Sequence, residues 1–159
     1  MPEDLRIVVG GDRAGAAYAA ALADQAAVHP RVGPIIRVGA DEDPLPYPDV
    51  AFAAAQLIAA GHADRALLVC YTGLGMAIAA NKVISVRAAA AHDPLSVEHA
   101  VTHSNAQVLC LGAGVIDLVL AGRLTNQWLG HTFDPASRAA AKLVLITAHE
   151  QRHPRPAPC

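Results

Sequence analysis

The sequence predicts an α/β protein: a three-layer α/β/α arrangement around a five-stranded parallel sheet. Three observations carry that prediction. Five short apolar runs of strand length recur along the chain. Alanine-rich segments of helical length separate them, and glycine-bearing turns follow several of the runs. Strands alternating with helices build a parallel sheet covered on both faces.

The elements follow in order. Residues 5–12, "LRIVVGGD", are apolar and β-branched and end in glycines, a buried strand. Residues 14–28 are Ala/Leu-rich and helical. Residues 34–39, "PIIRVG", are a second strand, and the proline-rich acidic stretch 41–48 is a loop. A helix is expected over 49–60, closed by Gly61. "RALLVC", 65–70, is the third strand, followed by a helix over 74–83. The fourth strand is 86–91, with a helix over 94–103, and "QVLCLG", 107–112, is the fifth strand. Two helices, 115–129 and 136–149, complete the chain.

Residues 1–150 read as a single domain, and the Pro/Arg-rich stretch 151–159 as a disordered tail. Apolar residues make up 53% of the 159, much of that alanine, while aromatics are only 4%; this suits helices packed close against a sheet. A net charge of −2 makes no electrostatic case for nucleic acid but leaves room for a small anion held by a local cluster of cations. Cys70, Cys110 and Cys159 show neither metal-binding spacing nor a disulfide framework. No stretch has the length of a membrane span, and the first residues lack a signal-peptide pattern. The expectation is a reduced, soluble, cytoplasmic protein.

Parallel sheets bind ligands at the carboxyl ends of their strands. That edge gathers residues 11–13, 70–75, 92–93 and 112–114. In "VCYTGLGMAIAANK", residues 69–82, a cysteine ends a strand and a glycine-rich turn opens a helix. Backbone N–H groups at a helix start have no helical partners and face the loop, so the turn can cradle an anion. Gly73 and Gly75 permit close approach and positive φ. Cys70 at that positive end has the setting of a base or nucleophile. A buried cysteine ahead of a structural turn would look the same. Asp12 and Arg13 stand in another strand-to-helix turn, where Asp12 can cap a helix or bind a sugar hydroxyl and Arg13 can hold a phosphate or sit in solvent. His103 ends a helix expected to face the same edge. Arg138 and Lys142, four apart, share one face of the last helix and can clamp a phosphate or be solvated.

Together these pieces resemble the family of type B ribose-5-phosphate isomerases and galactose-6-phosphate isomerase subunits, over residues 5–142. The motifs are "YPD" at 47–49, "CYTGLGMAIAANK", "RAAAAHD" at 87–93, "NAQVLCLGAGVI" at 105–116 and "WL" at 128–129. The resemblance implies a Rossmann-like fold and aldose–ketose isomerisation of a phosphosugar through a cis-enediolate, without metal or cofactor. Cys70 would move the proton, and the turn formed by Tyr71, Thr72, Gly73, Leu74 and Gly75 would supply N–H donors to the enediolate oxygens. Thr72 and His103 would handle hydroxyl protons and ring opening. Asp12 and Tyr47 would contact the sugar, and Asn81 would support the loop. The substrate implied is ribose 5-phosphate or another pentose, hexose or tetrose phosphate, and a silent phosphosugar-binding paralogue is a further alternative. The family works as dimers or tetramers, with His103 reaching the neighbouring subunit's site.

Five departures stand out. The family's late pair of arginines four apart becomes Arg138 and Lys142, with one extra residue allowed in "FDPAS". Arg13 replaces a histidine of the family's first turn. Gly114 occupies the place of a phosphate-binding arginine. Tyr71 follows the cysteine where the family has glycine, and Ser104 follows His103 where asparagine is usual. If the glycine replaced by Tyr71 has φ > 0, the tyrosine is strained or the loop differs. A pocket part-filled by Tyr71 suits a tetrose phosphate, which needs no furanose ring opening.

Overall fold

The computed structural model describes residues 4–39 and 44–154; most of the acidic loop's first half and the end of the expected tail, 155–159, lie outside them. In chain order the elements are β1 (Leu5–Gly11), α1 (Ala16–Ala27), β2 (Val32–Val38), α2 (Tyr47–Ala59), β3 (Arg65–Cys70) and α3 (Leu74–Ala80). β4 (Ala88–Ala90), α4 (Pro94–Thr102), β5 (Val108–Gly112), α5 (Leu118–Gly130) and α6 (Ala140–Arg152) follow. The five strands form one sheet in the order β2-β1-β3-β5-β4, with every pairing parallel. The expected three-layer α/β/α fold is the one observed.

Alternation along the strands divides the core in two. Ile7, Val9, Leu67, Val69, Leu109 and Leu111 face α1, α4 and α5, where Leu22, Val97, Leu124 and Trp128 meet them. Val8, Leu68, Cys70, Val108 and Cys110 point the other way, onto Val50, Ala51, Ala54 and Ala55 of α2 and Met76 and Ala80 of α3. The alanines present almost flat helix faces, so α2 and α3 lie close to the sheet. At about 25 cal/mol per Å2 of apolar surface, these two seams dominate the stabilisation of the fold.

Several boundaries shift for local reasons. α2 starts at Tyr47 rather than 49, because Pro48 in its first turn is preset for helix. Asp93 and Asp117 cap α4 and α5 by accepting from Ser96 and Leu120 N–H groups, which delays α5 to Leu118. α3 stops at Ala80 and β4 shrinks to three residues, since the Asn81 side chain exchanges two 2.8 Å bonds with the Ala88 backbone. α6 runs to Arg152, so the first two residues of the expected tail are helical.

α6 differs from the other helices. None of its residues is buried, and Val144, Leu145 and Ile146 are each more than half exposed. Glu150 ties it to the body: its carboxylate accepts from the Ser85 N–H at 3.0 Å. Among the described residues no helix is long and apolar enough to cross a membrane.

Candidate active site

Register places the expected loops along one edge. Cys70, the last residue of β3, is level with Gly112, the last of β5, and β1 ends one pairing step away with Gly11 opposite Val69. The Asp12 N–H donates to the Val69 carbonyl at 3.3 Å, and Gly15 lies so close to that carbonyl that a Cβ would collide with it. Asp12 accepts from the Gly15 N–H at 3.0 Å, which shapes the turn and leaves its second oxygen for a ligand. Arg13, next in the turn, is exposed.

The cysteine turn is built tightly. Cys70 is 5% exposed, and the Gly73 N–H donates to its sulfur at 3.2 Å. Gly73 adopts φ +79°, which glycine alone takes without cost, and this turns its N–H back onto the thiol. Thr72 is partly exposed and weakly accepts from the Leu74 N–H at 3.4 Å. Tyr47 lies against Gly75: a Cβ there would stand 2.7 Å from the ring. Asp12, Arg13, Tyr47, Cys70, Tyr71, Thr72, Gly73, Leu74 and Gly75 are therefore neighbours, as expected. Cys110 packs on the same face of the sheet, and burial together with the nearby Cys70 pushes its thiol up, so it stays protonated.

Tyr71 is not strained. The described non-glycine residues with positive φ are Ser85 and Asn105. Its ring is 66% exposed and lies directly on Gly114, where a Cβ would stand 2.5 Å from Cε2 and 2.6 Å from Cζ. The two departures at 71 and 114 are one packing event: the ring occupies the first atoms of any side chain at 114.

The expectation that His103 faces this edge is corrected. A helix after a parallel strand runs back across the sheet. α4 therefore starts at the Cys70 edge and caps with His103 beside the start of β5, at the opposite edge. Asn81, expected to support the cysteine loop, instead engages the Ala88 backbone at the start of β4, away from that turn. Arg138 lies in the turn before α6 rather than on the helix. It nevertheless joins Lys142, His103 and Thr102 around one groove of about 410 Å3. Two cations and an imidazole thus form a second cluster of their own.

The hydrogen bonds at His103 assign its tautomer. Thr102 Oγ1 lies 2.9 Å from the Glu98 carbonyl and must donate its proton there. It therefore accepts from Nδ1–H of His103 at 2.8 Å, and Nε2 is the ring nitrogen that this bond leaves for a ligand. His99 stacks on the ring at 4.0 Å between centroids. Arg87 fixes the following turn by donating to the Ser104 and Asn105 carbonyls. No local pattern in the sequence marks a further contact at the Cys70 edge: His92 Nε2 accepts from the Gly112 N–H at 2.9 Å.

Known proteins share the sequence pattern and the fold of this chain. The Ribose/Galactose Isomerase family profile matches residues 7–146. A D-erythrulose-4-phosphate isomerase 2 from Mycolicibacterium smegmatis is 51% identical over 148 residues, covering 92% of this chain and 97% of the relative. Ribose-5-phosphate isomerase B of Escherichia coli is 37% identical over 106 residues, 67% of this chain and 70% of the relative. The type B ribose 5-phosphate isomerase of Leishmania infantum superposes with a TM-score of 0.89 at 28% identity, covering 94% of this chain and 99% of that one. The chain belongs to the ribose/galactose isomerase family of aldose–ketose sugar-phosphate isomerases.

Proposed function

We propose that the chain interconverts a four-carbon ketose phosphate and its aldose, D-erythrulose 4-phosphate and D-erythrose 4-phosphate, with Cys70 as the base. The carrying observation is the Tyr71 ring seated on Gly114 at the mouth of the cysteine turn. It fills space that a longer sugar, or an arginine at 114, would require. The 51% identical relative named as an erythrulose-4-phosphate isomerase supports the same substrate.

In this reaction Cys70 thiolate takes a proton from C1 of the ketose. The electron pair forms the C1–C2 double bond, and the enediolate oxygens are held by N–H groups of the 71–75 turn. The same thiol returns the proton to C2, and the C1 hydroxyl proton transfers to the C2 oxygen, with Thr72 as a carrier. A tetrose 4-phosphate has its O4 esterified and cannot close a furanose ring, so no ring-opening step is needed.

The active unit is a homodimer or a larger homo-oligomer. Cys70 and His103 occupy opposite sheet edges, and Arg138 and Lys142 stand with His103. Only a second copy brings the cationic cluster to the cysteine turn. The uncovered apolar residues Val144, Leu145 and Ile146 of α6, and Leu74 and Ile78 spaced four apart on α3, supply surface for that contact.

The test is a panel of four-, five- and six-carbon sugar phosphates. The highest kcat/KM is expected on the erythrulose/erythrose 4-phosphate pair. Equal or better turnover of ribose 5-phosphate overturns the substrate, and no turnover of any member overturns the reaction.

A further inference from the structure

We infer that His92 is a positioning residue that holds the cysteine turn through the backbone of β5; the inference rests on the reading of Cys70 as base. β4 ends at Ala90, level with Cys110, while β5 continues to Gly112. Alternate amides of a strand point to opposite neighbours. The Ala113 N–H faces β3 and donates to the Cys70 carbonyl at 2.8 Å, so the Gly112 N–H faces the side where β4 has already ended. No backbone carbonyl of β4 reaches it. His92, two residues past the strand, supplies Nε2 in its place at 2.9 Å.

The segment anchored this way carries the turn. The Ala113 and Gly114 N–H groups donate to the Cys70 and Tyr71 carbonyls, both at 2.8 Å. Gly112 lies so close under Thr72 that a Cβ would stand 2.6 Å from its carbonyl carbon. Residues 112–114 are thus the floor on which residues 70–72 rest, and His92 fastens the edge of that floor remote from β3.

Acceptance at Nε2 requires the neutral ring with its proton on Nδ1. An imidazolium would set N–H against N–H. Burial holds His92 below its usual range, against the opposing pull of the adjacent Asp93 carboxylate.

The test compares His92→Phe, which keeps a planar ring without an acceptor, with His92→Gln, whose side-chain oxygen reaches about as far as Nε2. Displacing a reacting group by about 1 Å costs up to about 100-fold. For His92→Phe we expect kcat to fall about 10- to 100-fold with KM little changed, and amide hydrogen exchange at Gly112 to accelerate. His92→Gln is expected to restore most of both. Wild-type kcat in folded His92→Phe, or a Gln variant no better than Phe, overturns the positioning role. Cys70→Ala is run alongside. Turnover lost there but intact in His92→Phe removes the role of His92 alone; full turnover in Cys70→Ala removes the reading beneath it.

Discussion

The contact between Tyr71 and Gly114 makes a quantitative prediction about substrate length. An added Cβ at 114 would stand 2.5 Å from Cε2 of the ring, about 1 Å inside the 3.5–4.0 Å at which carbons normally meet. Gly114→Ala must therefore push the ring away. The ring is 66% exposed, so it can give way at the cost of a χ angle pushed about 30° off its rotamer, about 0.5–1.5 kcal/mol, and the fold is retained. Tyr71→Gly removes the ring and opens the space to one more sugar carbon. Discrimination of one carbon unit by a pocket wall is worth about 1–3 kcal/mol, or roughly 10–200-fold in kcat/KM. Tyr71→Gly should raise the ratio of five-carbon to four-carbon kcat/KM by that factor, measured with purified protein on both phosphates. Gly114→Ala should shift the same ratio in the wild type and leave it unchanged in the Tyr71→Gly background, because its effect passes through the ring. A ratio unmoved by Tyr71→Gly, or a Gly114→Ala effect that simply adds to it, would refute the reasoning.

Two further predictions concern assembly and pH. Cys70→Ala and the double variant Arg138→Ala/Lys142→Ala are each expected to be nearly inactive alone, yet mixing subunits after dissociation should restore about a quarter of wild-type activity, since half of the dimers carry one intact site of two; no recovery on mixing would mean that each site lies within one chain. His92 and His29 each accept a backbone N–H through a ring nitrogen, and burial lowers both, with Arg31 adding to the effect at His29. Their folded values lie below the unfolded 6.5, so the unfolded chain binds more protons in acid. The stability they contribute is complete above pH 6.5 and is lost as pH falls through their folded values. Thermal melts should show Tm falling below pH 6.5, and less steeply in His92→Gln; a flat Tm across that range would contradict it.

Much of this molecule is legible in the chain because its strands are apolar runs that end where loops must turn. The strand-end edge follows from that pattern, and with it the company of Asp12 and residues 70–75; Tyr47 joins them in the reading only through the family resemblance. Residues at the far ends of helices are not marked by that pattern. His103 and Asn81 sit where α4 and α3 finish, and a returning helix delivers its last residues to the opposite edge. β4 is alanine throughout, so periodicity does not mark its ends; a side chain, Asn81, sets its start and another, His92, replaces it beyond its end. The pairing of Tyr71 with Gly114 joins residues far apart in sequence, and nothing local announces it. The backbone of Tyr71 is likewise a tertiary outcome: φ stays negative there because the left-handed residue of the turn is Gly73.

Proton transfer by Cys70 is the claim on which the rest depends, and solvent deuterium measures it directly. Wild-type protein incubated with erythrulose 4-phosphate in heavy water should place deuterium on the C1 and C2 carbons of the recovered sugars. Cys70→Ala, folded and still binding the phosphosugar, should place none. Deuterium incorporated by Cys70→Ala at the wild-type rate would contradict the account, because the proton would then be carried by some other group.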